Sequence, residues 1–302
     1  MEQPQTDLLI PIRDYDLAAT LSSGQAFRWT LAGEYWEGIV GQHWVRLKCL
    51  PDAILAQTAV PVSDWSWLGH YLQTDVQVES ILVTFPQDEA MRASIAYCRG
   101  LRLLRQDPWE CLASFILSST KQIVQIQQIV ALVCQRFGVP LVVSSGHSPV
   151  YSFPTAERLA AASEHELRVC KMGFRAPNIL RSAQMVARGE VDLEHLGHLP
   201  LAEAREVLVR LPGVGQKIAN CVLLFAYGFQ GAFPVDVWVM KALRQLYFPK
   251  RRPKAQRLLR FTNTYFGPNA GYAQQYLFHY MRTRPRISIL NRRPKRRNNK
   301  VR

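Results

Sequence analysis

A chain of 302 residues, 48% of them hydrophobic, is long enough to bury a large core and predicts two or three subdomains. No uninterrupted apolar run reaches membrane-spanning length, and the polar start Met1-Glu2-Gln3-Pro4-Gln5 does not resemble a signal peptide, so the reading is of a soluble, intracellular monomer. The net charge of +14 invites a nucleic-acid partner, but ten of the basic side chains fall in residues 282–302 and leave the remainder at only +4.

The first elements read as strands. Phe27, Trp29 and Leu31 alternate before Ala32-Gly33, Tyr35 to Val40 follows, and Val45, Leu47 and Cys49 alternate against Trp44, Arg46 and Lys48. This pattern predicts an antiparallel meander. From about Glu89 the period becomes helical, and Cys111 to Phe137 reads as one long apolar-striped segment that Gly138 stops. The loop Ser144 to Pro149 separates it from later helices. The expected class is α+β, with a β-rich domain over 1–95, helical domains over 96–281 and a disordered basic tail over 282–302. The tail suits a nonspecific DNA arm, a nuclear address or a solubilising end. Six cysteines, at 49, 98, 111, 134, 170 and 221, show no close ligand spacing, so reduced core thiols are expected rather than zinc or an iron–sulfur cluster.

Residues 201–225 hold the densest local signal. Leu201, Ala204, Val207, Leu208 and Leu211 share one helical face, Pro212 and Gly213 stop that helix, and Ile218, Cys221, Val222 and Phe225 open another just past Gly215. Two short helices joined by Leu211-Pro212-Gly213-Val214-Gly215 form a helix-hairpin-helix. The glycines permit a tight turn, and the free N–H groups at the start of the second helix suit a phosphate. Sequence-independent binding to a DNA backbone follows, with Gly213, Gly215 and Gln216 as contacts. The plainer reading is a helix stop followed by a helix start.

Lys217 stands in the first turn of the second helix, where the dipole disfavours an ammonium by roughly 0.3–1 kcal/mol. A nucleophilic amine benefits from that field, whereas a lysine reaching for solvent or a phosphate does not need it. Asp236 precedes Val237, Val239, Met240 and Leu243 and is expected to cap their helix. Held ionised by the cap bonds, the same carboxylate can face positive charge developing on a deoxyribose.

Leu211-Pro212-Gly213-Val214-Gly215-Gln216-Lys217 followed by Phe233-Pro234-Val235-Asp236 resembles the helix-hairpin-helix, Gly/Pro-rich loop and aspartate signature of the DNA glycosylase superfamily that bears its name. Ser23-Gly24-Gln25-Ala26-Phe27-Arg28-Trp29, Leu103 to Cys111 with Ser114-Phe115-Ile116, and Ala270 to Gln274 ending in Phe278 are similar to its 8-oxoguanine DNA glycosylase branch. The resemblance spans about residues 7 to 281 and implies a TBP-like antiparallel sheet domain followed by all-α glycosylase domains, with the site in a cleft. It implies a bifunctional enzyme that needs no cofactor and acts on double-stranded DNA containing 8-oxoguanine. Lys217 attacks the anomeric carbon, Asp236 stabilises the oxocarbenium-like state, and a Schiff base permits β-elimination. The Gly24 carbonyl accepts from N7–H of the extruded base, Phe278 and Cys221 flank its faces, and Gln274 bonds its Watson–Crick edge. Backbone carbonyls of Val209, Leu211 and Val214 are implied as holders of an alkali ion outside the chemistry.

Some positions depart from the family's pattern. Thr120, Lys121, Gln122 and Gln125 stand where eukaryotic-type members carry three asparagines and then an arginine that read the opposite cytosine. Arg175 is kept beside Phe174, which replaces a wedging tyrosine, and Trp238 replaces a phosphate-contacting histidine. These changes predict a relaxed choice of opposite base. Two other readings stay open on residues alone: a glycosylase for alkylated bases and a non-catalytic helix-hairpin-helix DNA-binding protein.

Overall fold

The computed structural model describes residues 4–249 and 253–284. Five strands, β1 (Gln5–Pro11), β2 (Thr30–Ala32), β3 (Tyr35–Val40), β4 (His43–Cys49) and β5 (Ala53–Val62), form one antiparallel sheet in the order β1-β5-β4-β3-β2. The β2–β4 portion is the expected meander; β5 extends it and β1 adds along the far edge of β5. Alternation sets the register: Leu47 opposes Ala56 while Val45 opposes Thr58, which turns Val45, Leu47, Ile54 and Ala56 to one fully buried face. Helices α1 (Leu17–Ser22) and α2 (Ser66–Leu72) supply Leu17, Leu21, Leu68 and Leu72 to cover it.

The alternation of Phe27, Trp29 and Leu31 has another cause than a strand. Only Thr30–Ala32 pairs; Trp29 belongs to the core under the sheet and donates from its indole N–H to the Tyr71 hydroxyl at 2.8 Å, whereas Phe27 belongs to the helical core and meets Phe115 edge-on, with ring centres 5.5 Å apart. Two cores draw the neighbouring rings apart.

Helices α3 (Val78–Leu82), α4 (Glu89–Tyr97), α5 (Pro108–Leu117), α6 (Ile123–Phe137), α7 (Ala156–Ala160), α8 (Glu164–Val169), α9 (Ala176–Ala187), α10 (Leu201–Val209), α11 (Gln216–Phe225), α12 (Val237–Ala242), α13 (Ala255–Tyr265) and α14 (Ala270–Thr283) build the larger core. Its centre is α11, whose Ala219, Val222 and Leu223 are fully buried, with Leu112 of α5 and Tyr276 of α14 in the same core. The apolar stripe from Cys111 to Phe137 is not continuous. It breaks at Ser118–Gln122, where Thr120 adopts φ 59°, before α6 restarts and ends at Gly138. Residues 140–141 and 150–151 pair as a small second sheet on either side of the expected loop.

The segment 101–107 runs between the two cores and ties them. Leu104 packs under the sheet while Gln106 N–H donates to the Phe225 carbonyl of α11 at 2.9 Å and Arg105 N–H to the Tyr71 carbonyl at 2.9 Å. A cleft of about 880 Å³ opens between the α1 turn, the α5–α6 break, α11, α12 and α14.

Candidate functional site

The hairpin has the expected form: α10 ends at Val209, α11 starts at Gln216, and Gly213 lies at φ 79°. Gly213 is required twice, by its left-handed backbone and by Asn178 Nδ2 only 2.6 Å from where a Cβ would stand. Gly215 differs. Its φ of −98° suits any residue, and beyond its chain neighbours no atom of the described residues lies within 4 Å of its would-be Cβ, so that face is open to a ligand. Gly215 caps α11 without a side chain, and its carbonyl first accepts from Ala219 N–H at 3.0 Å, which leaves the amides of Gln216, Lys217 and Ile218 for an anion. Among the described hydrogen bonds, the Leu211 carbonyl takes one donor, Val214 N–H at 3.1 Å, and those of Val209 and Val214 take none. Lone pairs at the negative end of α10 fit a cation.

Lys217 extends from α11 into the cleft with its Nζ 5.0 Å from the Phe115 ring centre. Cys221 lies one turn further along the same face, where burial pushes its thiol up to about 11 against the opposing pull of the Lys217 ammonium. At the start of α12, Asp236 accepts from Val239 N–H at 2.8 Å, the expected cap. Its carboxyl is not held low, however. Burial raises it from the usual aspartate value and outweighs the Val239 cap bond and the Lys217 charge. Trp238, the second residue of α12, lines the same cleft and carries Lys241 over its ring at 5.1 Å.

The opposite wall is the turn after α1. Gly24 adopts φ 76°, and a Cβ there would stand 2.9 Å from Ile123 Cδ1 and 3.6 Å from the Phe278 ring. Around it the backbone acceptors are occupied: the Ser22 carbonyl by Arg282 at 2.5 Å, that of Ser23 by Gln275 Nε2 at 3.1 Å, and that of Gln25 by Gln106 Nε2 at 2.8 Å. The Gln25 side chain adds bonds to the carbonyls of Thr20 and Arg102, both at 2.9 Å, and accepts from Leu104 N–H at 2.8 Å. Among the described hydrogen bonds the Gly24 carbonyl has no donor, and Gly24 lines the cleft. From α14, Gln274 and Phe278 line it too; Gln274 is 3% exposed and its Oε1 has no partner among the described residues.

The network behind Gly24 is what sequence reasoning missed. Its signal was the shared α14 face of Gln275, Phe278 and Arg282 at helical spacing. Arg282 falls at the start of the expected disordered tail, yet it lies in the last turn of α14 and lines the cleft. Of that expected tail, residues 285–302 lie outside the described residues.

Of the expected opposite-base contacts, Thr120 and Arg175 meet while Gln125 stands apart. Arg175 is 2% exposed and bonds Thr120 Oγ1 at 2.7 Å together with the Ser119 carbonyl, so its guanidinium braces the α5–α6 break rather than facing outward. Phe174 beside it is 61% exposed. Gln125 completes a capping box, its Oε1 accepting from Gln122 N–H at 3.2 Å. Thr120 lines the cleft, while Gln125 stands outside it.

Residues 7–112 match the family described as the 8-oxoguanine DNA glycosylase N-terminal domain, and residues 113–267 the HhH-GPD superfamily of base excision DNA repair proteins. The chain is 31% identical to N-glycosylase/DNA lyase OGG1 of Arabidopsis thaliana over 290 residues, which is 90% of this chain and 77% of the relative. Among solved structures, MBOgg1 in complex with a low affinity DNA ligand aligns at TM-score 0.86 and 31% identity, covering 93% of this chain and 97% of that one. The 8-oxoguanine glycosylase/lyase of Clostridium acetobutylicum, in complex with double-stranded DNA containing cytosine opposite to 8-oxoG, aligns at 0.84 and 28%, covering 92% and 98%. With both halves of the chain matched in order around one cleft, the protein belongs to the 8-oxoguanine DNA glycosylases of the HhH-GPD superfamily.

Proposed function

We propose that this protein is a bifunctional DNA glycosylase and lyase that excises 8-oxoguanine from duplex DNA in base excision repair, wherever the cell keeps its DNA. The observation that carries the reading is one cleft lined by Lys217, Asp236 and Gly24, with the Gly24 carbonyl free of any described donor. 8-Oxoguanine carries N7–H where guanine has an acceptor, so this carbonyl gains a hydrogen bond from the lesion and faces an opposed lone pair in the normal base. A buried polar mismatch costs about 1–3 kcal/mol.

The base must leave the stack before C1′ can be reached. The hairpin amides of α11 hold the backbone phosphate beside the cleft, and an alkali ion on the Val209, Leu211 and Val214 carbonyls would add positive charge there. Gln274 meets the Watson–Crick edge, and Phe278 and Cys221 flank the two faces. Lys217 Nζ, having released a proton, forms a bond to C1′ as the C1′–N9 bond breaks and its electrons leave with the base, which then takes up a proton. The ionised Asp236 stabilises the positive charge on the sugar. One proton passes from the attached nitrogen to O4′ as the C1′–O4′ bond breaks, which gives a protonated Schiff base; removal of a C2′ proton then expels the 3′ phosphate by β-elimination.

The test measures free base release and strand nicking on duplexes that differ only by 8-oxoguanine or guanine at one position. The expected result is strong preference for the lesion in both products. Equal excision of guanine, or better excision of methylated adenine, would overturn the assignment and favour an alkylated-base enzyme.

A further inference from the structure

Arg282 has no role in the chemistry above, yet it stands in the cleft. It sits one helical turn after Phe278 on α14 and places its guanidinium 5.5 Å from that ring's centre. The same group donates to the Ser22 carbonyl at 2.5 Å, at the start of the turn that presents Gly24. Its Nε is buried and has no partner among the described residues. Burial disfavours its charge while the field of Asp236 supports it. A planar fork fixed to a backbone oxygen at one side and to an aromatic face at the other is a strut, and the parts it joins are the edge and the face that enclose an extruded base.

We propose that Arg282 is a positioning residue for lesion recognition: it clamps the Ser22–Gly24 turn to Phe278 and so sets the width and register of the slot between the Gly24 carbonyl and the Phe278 ring. Gln275 assists from one position on the same helix face through the Ser23 carbonyl. Because α14 carries Gln274, Gln275, Phe278 and Arg282 on one rigid element, a shift of the turn relative to α14 changes the edge contact and the stacking contact together. A mere phosphate contact by Arg282 would affect every DNA substrate alike. A strut of the base slot affects only substrates that have a base to hold.

The inference rests on the glycosylase reading, and the experiment separates the two. Single-turnover excision of 8-oxoguanine and nicking of a duplex with a preformed abasic site are measured for wild type, Arg282→Met and Arg282→Lys, with thermal midpoints as a folding check. The ratio of excision to abasic nicking should fall about ten- to a hundredfold in Arg282→Met, in line with the cost of small misplacements of a reacting group. Arg282→Lys should recover little of it, since an ammonium cannot bond the carbonyl and cover the ring in one geometry. An unchanged ratio in either folded variant overturns the strut, as does full recovery by lysine, which would mean that charge alone matters. If Arg282→Met does not fold, the lysine variant decides. Absence of 8-oxoguanine excision by the wild type would instead defeat the functional assignment.

Discussion

Asp236 shows most clearly how single side chains here serve two ends. As a cap it stabilises α12, and as a buried carboxylate beside Lys217 it carries a desolvation cost that raises it above the ordinary aspartate value. The sign follows: a carboxyl raised on folding weakens the native state at pH values above its folded value, and that cost fades as pH falls through it. Asp236→Asn removes the charge and keeps a good cap. Its thermal midpoint at pH 7 is therefore expected to equal or exceed that of wild type, while its single-turnover rate falls about a hundredfold or more. A variant that melts lower with an unimpaired rate would reverse that assignment. The wild-type rate should also decline at acid pH above the value of a free aspartate, and a pH–rate profile reads this directly. The opposite base is the second residue-scale question. With Arg175 braced on Thr120 and Gln125 engaged in a capping box, excision opposite all four bases with a shallow cytosine preference is expected. Gln125→Arg should steepen that preference about tenfold, since a bidentate contact is worth roughly 1–3 kcal/mol. A preference of several hundredfold in the wild type would show that other groups read the cytosine.

At the scale of elements, the hairpin offers a paired test. Gly213→Ala must hold a left-handed backbone against Asn178, and a loss of about 1–2 kcal/mol in stability is expected from the backbone alone. Gly215→Ala meets no side chain or backbone atom among the described residues beyond its neighbours, so its stability should stay near wild type while duplex binding weakens; denaturant melts and binding titrations of both separate the two roles. The hairpin and the Asp236 cap were legible because their chemistry is local: proline, glycine and a capping carboxylate act within one turn. The break at Thr120 was not, because a left-handed residue other than glycine or asparagine leaves no compositional mark and is held by Arg175 from far along the chain. Strands β1 and β5 escaped for a related reason, since each is defined by its distant partner. The network behind Gly24 joins α1, segment 101–107 and α14, and no single stretch of sequence displays it.

Across the whole molecule, charge is distributed unevenly. Residues 285–302 carry Arg286, Arg292, Arg293, Lys295, Arg296, Arg297, Lys300 and Arg302 with no acid. Removing these residues, and keeping Arg282 on α14, should weaken duplex binding and flatten its salt dependence, because each neutralised phosphate contributes a slope of about −0.9. An unchanged slope of log affinity against log salt would exclude a DNA arm. The fold itself brings three distant segments, the α1 turn, the start of α11 and the start of α12, to one cleft, and the central claim is that Lys217 acts there as the nucleophile. Borohydride trapping on a duplex with one 8-oxoguanine tests that claim most directly. The wild type should form a covalent protein–DNA complex and nick the strand, and Lys217→Gln, folded and still binding the duplex, should do neither; substantial trapping by Lys217→Gln would contradict the account.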